Sequence, residues 1–211
     1  MFKSILYLVF FVLSMNVFSQ VNVYSSDFKK SISLLDSASY NNDFSKAAKS
    51  FEKSALIDKK NWLCFYYAGI CNTLVAFQKK GKEVDSFCDK AEKFANTADS
   101  LDSNNSEIYV LKSMIVAARI NVNATQRGQK YGAISAKFNL KALELNPNNP
   151  RAHLQKARAI LNTPIAFGGG PKKANPIFEV ALEKFKTFKP EGLYYPNWGK
   201  KETLIELKNI K

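Results

Sequence analysis

The chain has one histidine, four arginines among its 31 basic residues, and no Cys-x-x-Cys pair. Each shortage excludes something. A single histidine, His153, cannot share a metal with a second one, so the usual histidine-rich zinc sites are out. Arginine is the preferred reader of phosphates and base edges. Its scarcity, with lysines spread along the chain and never in runs longer than a pair, argues against nucleic-acid binding despite a net charge of +13. The three cysteines, Cys64, Cys71 and Cys88, show no metal-ligand spacing. Two states are open for them: a Cys71–Cys88 bridge or three free thiols. No Gly-x-Ser-x-Gly turn is present, and no pair of carboxylates is set apart for acid–base work. The chain therefore reads as no enzyme, and nothing in it calls for a cofactor. Alternating β-branched runs are absent after residue 24, so strands are not expected.

What is present begins with an export signal. Met1-Phe2-Lys3 carries a positive charge, Ile5 to Leu13 is unbroken apolar, and Val17-Phe18-Ser19 offers small residues at the cleavage positions. This three-part pattern predicts a secretory signal peptide over 1–19. The run falls short of the roughly 20 apolar residues that a membrane span needs, and no later stretch is long enough. The mature chain is expected in the periplasm or outside the cell, with no stable membrane span.

The remainder repeats itself. "SFEKSALIDKKN" (50–61), "KFANTADSLDSNN" (93–105) and "FNLKALELNPNN" (138–149) share one plan: a helix with small residues on one face, then a polar turn. Each turn leads into another apolar helix. With each turn ending a unit, the units are 28–61, 62–105, 106–149 and about 150–188. Small residues recur early in the first helix at Gly69, Ser113 and Ala157, with Leu35 in the first unit. They recur in the second helix at Ala47, Ala91, Ser135 and Ala174, then at Ser54, Ala98, Ala142 and Ala181. Small residues at these spacings let two helices approach. The prediction is an all-α protein: an α-solenoid of about four antiparallel helix pairs over 28–188, preceded by a segment 20–27. The region 189–211 would supply a loop and a capping helix from Trp198 to about Ile210, capped by Asn197, closing the stack.

This arrangement resembles the tetratricopeptide repeat, a helix pair recurring every 34 residues. The second and third units are ten residues longer than that period. Longer helices would absorb the excess around Gly81, and a loop is expected around "NVNATQRGQKYG" (121–132). The phrase "TPIAFGGGPKKANPIF" (163–178) is similar to one in exported bacterial tetratricopeptide-repeat proteins with a T-P-x-x-F-G-G-G-x-x-K-A segment. More distantly, the chain resembles a periplasmic helical-repeat component linked to some solute transporters.

The three glycines do not make a phosphate-binding loop. No strand precedes them, and no Ser or Thr follows the lysines. Thr163-Pro164 ends one helix and Pro171 suits the first turn of the next. A backbone nest at Gly168, Gly169 and Gly170 beside Lys172 could still hold an anion.

The resemblance implies that the inner face is lined by the first helix of each pair. Tyr66, Ile70, Val110, Met114, Leu154 and Arg158 would form an apolar groove with a basic end. Only Arg158 matches the lysine, asparagine and arginine with which relatives grip acidic peptide tails. Such a groove would bind a protein or peptide partner, or else hold an apolar small molecule for transport. Alternatively the chain covers it with its own residues, 20–30 or 190–211. His153 falls at a packing position of the same face.

Overall fold

A computed structural model describes residues 24–210. Among these residues nine α-helices run: α1 (Ser26–Asn41), α2 (Ser45–Ile57), α3 (Trp62–Gln78), α4 (Lys82–Leu101), α5 (Ser106–Ala118), α6 (Ala124–Leu145), α7 (Pro150–Asn162), α8 (Pro171–Thr187) and α9 (Lys200–Asn209). The described residues contain no strand. Consecutive helices pack as antiparallel pairs, α1 with α2 through α7 with α8, and α5 also touches both α3 and α7. The result is an α-solenoid. The expected signal peptide lies outside the described residues.

Polar turns start the helices by a shared device. Asn61, Asn105 and Asn149 each close a unit, and each side chain accepts a hydrogen bond from the backbone N–H two residues on, at 3.1, 2.8 and 2.9 Å. This is N-capping, worth about 1 kcal/mol per helix. Within a pair, small residues permit close approach. A Cβ on Gly69 would stand 3.4 Å from the Ala91 carbonyl oxygen on α4 and 2.8 Å from Leu111 on α5. Where serines replace alanines they bond to each other: Ser113 to Ser135 at 3.0 Å and Ser31 to Ser54 at 3.0 Å. One apolar core joins α1 to α6 and reaches Ala152 at the start of α7, and a second joins α7 to α9. Trp198 packs against both.

Three expectations are corrected. No loop interrupts the third unit. After a short 3₁₀ turn, Arg119–Val122, helix α6 begins at Ala124. Asn123 caps it, and Arg119 and Arg127 both reach Asp85 on α4, at 3.4 and 2.8 Å, which holds this corner against its neighbour. Next, α1 begins at Ser26, with Ser25 as its cap, so the segment 20–27 already enters the first helix. Last, the final helix begins at Lys200, not Trp198. Its cap is Gly199, at φ +110°, whose N–H donates to Glu202 at 3.0 Å. Trp198 is drawn instead into the core, and that displaces the helix start. All three cysteines are buried free thiols.

Candidate functional site

Of the six residues expected to line the groove, five are buried. Tyr66, Val110 and Leu154 have no exposure, and Ile70 and Met114 retain only 4%. Arg158 is half-buried, with its guanidinium 3.3 Å from Glu206 on α9.

The segment 189–199 accounts for part of this cover. Trp198 donates its indole N–H to the Tyr66 hydroxyl at 3.0 Å. The Tyr67 hydroxyl donates to the Tyr194 carbonyl at 2.8 Å. Tyr195 meets Trp62 edge-on at 5.5 Å between ring centres. Gly199 lets the chain turn so tightly that a Cβ there would stand 2.6 Å from Phe185 and 3.2 Å from Leu154. The strip is thus packed core at these positions rather than open surface. Burial drives the Tyr66 phenol well above its ordinary pKa, with the Glu107 carboxylate adding to the effect.

Beneath this segment lies a residue that the sequence pattern did not single out for the purpose. Arg151 is fully buried. Its Nε and one terminal nitrogen donate to the two oxygens of Glu107, both at 2.7 Å. Its guanidinium lies 4.3 Å from the centre of the Phe188 ring. Both charged groups come from the first turns of inner-face helices, α5 and α7, so adjacent repeats bring them together. All four arginines of the chain are tied up in such internal ion pairs.

The other expected features are placed as follows. In the triple-glycine loop, the Gly168, Gly169 and Gly170 amides donate to the carbonyls of Ile165, Pro164 and Ile160 at 2.9, 3.2 and 2.9 Å. These N–H groups therefore hold the loop together instead of facing an anion, and Lys172 is exposed beside them. His153 is half-buried, and its Nε2–H donates to the Pro147 carbonyl at 2.9 Å. Among the described residues no cluster of His, Cys, Asp or Glu could hold a metal ion, and no helix is long and apolar enough to cross a membrane.

Two small clefts flank Tyr195. One, about 320 Å³, is polar and runs from the turn at Asp102–Asn105 to Arg151 and Glu191. The other, about 280 Å³, is lined by Tyr24, Asp58, Trp62 and Tyr195 among others.

Apart from these clefts, exposed side chains of α1 and α9, the first and last helices of the described residues, approach one another. Tyr40, on the last turn of α1, is 88% exposed. The Lys201 ammonium of α9 sits over its ring, 5.9 Å from the centre. Leu204 and Ile205 follow Lys201 by three and four residues, so they share its helix face, and both are about half exposed. An aromatic ring, two aliphatic side chains and a cation thus face solvent together. Sequence periodicity could not reveal this, because only the winding of the solenoid brings Lys201 of α9 within reach of Tyr40 on α1.

Comparison with known proteins gives this surface a context. No family model matches the chain, and no curated protein matches it. Among solved structures, YrrB, described as a TPR protein with an unusual peptide-binding site, is 16% identical over 86% of this chain and 84% of its own. Its TM-score is only 0.39. The HusA haemophore from Porphyromonas gingivalis superposes with a TM-score of 0.80. It is 34% identical over 91% of this chain and 94% of its own length. With that identity over nearly the whole of both chains compared, the chain belongs to the family of the HusA haemophore.

Proposed function

We propose that this protein is an exported, non-enzymatic binder of a tetrapyrrole. Its helix pairs would be of the tetratricopeptide kind, and the signal sequence at 1–19 would direct it out of the cytoplasm. The observation that carries this reading is the 34% identity with a haemophore over nearly the full length of both chains. Of the two ligand classes considered from the sequence, an apolar small molecule is thereby favoured over a protein partner.

The chemistry of the open surface supports the same reading. A tetrapyrrole is a flat apolar disc with acidic side chains at its edge. Neither small cleft would enclose it. Tyr40, Leu204 and Ile205 offer ring and aliphatic contact, and Lys201 offers a cation for a carboxylate. The usual axial donors to haem iron are histidine, cysteine, methionine and tyrosine. Here His153 is tied to the turn before α7, and the three cysteines and Met114 are buried. Tyr40 is the remaining donor type on this surface; in the reading proposed its ring face, not its phenol oxygen, meets the ligand, which would be held by its ring faces and acid groups and not by its metal. Tyr66, Ile70, Val110, Met114 and Leu154 would be the packed support of the binding face, with Arg158 anchoring α9.

Absorbance titrations with haemin and with metal-free protoporphyrin test this. Comparable saturable binding of both is expected. Tyr40→Ala should weaken both about tenfold, since a large apolar contact is worth about 1.5–3 kcal/mol. Tyr40→Phe should bind as the native protein does. Binding of haemin alone, lost in Tyr40→Phe, would mean coordination by the phenol. Binding of neither would sink the tetrapyrrole reading and return attention to a protein partner.

A further inference from the structure

The triple-glycine phrase plays no part in the tetrapyrrole surface, yet its loop is costly as built. Its amides are satisfied internally, and Gly168 and Gly170 sit at φ +85° and +97°. A Cβ on Gly169 would stand 2.2 Å from the Thr163 carbonyl oxygen. So tightly bonded a loop has a defined shape. That shape turns Ile165 and Phe167 outward, at 77% and 81% exposure. Large apolar side chains held out side by side by an ordered loop mark an interaction site.

Topology extends the observation. In a stack of antiparallel pairs, every connection from first to second helix leaves the same edge. That edge carries the loops after α1, α3, α5 and α7. Phe77, at the end of α3, is exposed there at 41%. Lys80 and Lys82 at the next loop, and Lys172 and Lys173 at the start of α8, are exposed too. Lys173 folds its ammonium over Gly168. Two loops of this edge, after α3 and after α7, thus set outward apolar side chains beside lysines, with Asp43 and Glu83 the exposed carboxylates nearby.

We propose that this edge docks onto an anionic lipid bilayer. Phe167 and Ile165 enter the boundary between headgroups and acyl chains. Lys80, Lys82, Lys172 and Lys173 face the lipid phosphates, their stems lying along the apolar zone. Charge complementarity selects the occupant: the chain carries +13, and each lysine near an anionic surface adds to the attraction.

Sedimentation of the full-length mature protein with vesicles decides the matter. Binding is expected to phosphatidylcholine vesicles containing roughly a third phosphatidylglycerol, and not to pure phosphatidylcholine. Ile165→Ser with Phe167→Ser should reduce it at least about fivefold. Lys172→Glu with Lys173→Glu should do the same. Lys59→Glu with Lys60→Glu makes the same charge change on the opposite edge and should reduce it much less. Circular dichroism of each variant establishes that the helices persist. Three results would overturn the proposal: no native binding to the anionic vesicles, full binding by the Ile165/Phe167 variant, or equal losses from the two lysine pairs. The first would point to a protein partner for the loop, and the last to diffuse attraction by net charge.

Discussion

Trp198 and Tyr66 stand 132 residues apart in the chain and are joined by a 3.0 Å hydrogen bond from indole N–H to phenol oxygen. The Tyr66 side chain is fully buried, so no water can replace the donor cheaply. Trp198→Phe should cost about 1–3 kcal/mol through the unpaired hydroxyl and lost ring contact. Thermal unfolding would record the lower midpoint, with native helix content at 25 °C unchanged.

Alkaline pH should strike the same place. Burial raises the phenols of Tyr66 and Tyr67 above their ordinary value. In the unfolded chain a phenol loses its proton near pH 10, at about its reference value. Above that pH the folded state binds more protons than the unfolded one, so stability falls as pH rises. Below it the contribution is complete. Tyr66→Phe should flatten the fall in melting temperature above pH 10 and leave its shape at neutral pH unaltered.

The thiols follow the same logic in a reactivity assay. Burial pushes Cys64 up to about 12 and Cys88 up to about 11, and Cys71 higher still. The thiolate is the reacting species. Native protein at pH 8 should therefore resist a disulfide reagent, while denatured protein releases three equivalents, one for each free cysteine. One equivalent after denaturation without reductant would reveal a bridge.

The Arg151–Glu107 pair should be costly to break and cheap to replace. Arg151→Ala leaves a carboxylate with little solvent and no partner, a loss of about 3–5 kcal/mol. Arg151→Met with Glu107→Leu removes both charges, and most of that loss should be recovered. Urea unfolding of Arg151→Met, of Glu107→Leu and of the double variant measures the coupling directly.

Glycines at two places should respond with opposite signs. Gly169→Ala drives a methyl into the Thr163 and Ile160 carbonyl oxygens, at 2.2 and 2.6 Å, and should destabilise by about 1–3 kcal/mol. Gly128→Ala, inside α6 with open space around it, should stabilise by about 0.5–1 kcal/mol. Melting temperatures of the two variants give the comparison.

The helix-pair architecture was legible in the residues because its determinants are local. Small residues at Gly69 and Ala91, or Ser113 and Ser135, lie within one pair, and caps such as Asn61, Asn105 and Asn149 act on the next few amides. Periodicity carries such information over a single turn or a single hairpin. The third unit misled that reading because Gly128 and Gly132 resemble loop residues. In a solvent-facing position a helix tolerates them at a modest cost, and the Asp85 ion pairs of Arg119 and Arg127 hold the corner.

What covers the inner face was decided only by tertiary structure. Tyr66, Ile70 and Leu154 have the spacing of a groove, and nothing near them in sequence announces Trp198 or Tyr194. Apolar side chains drive burial without direction, so a periodic strip specifies that it will be covered and leaves open by what. The same reason hid the surface of Tyr40, Lys201, Leu204 and Ile205. Its parts belong to the first and last helices of the described residues, and only the curvature of the stack brings Lys201 within reach of Tyr40.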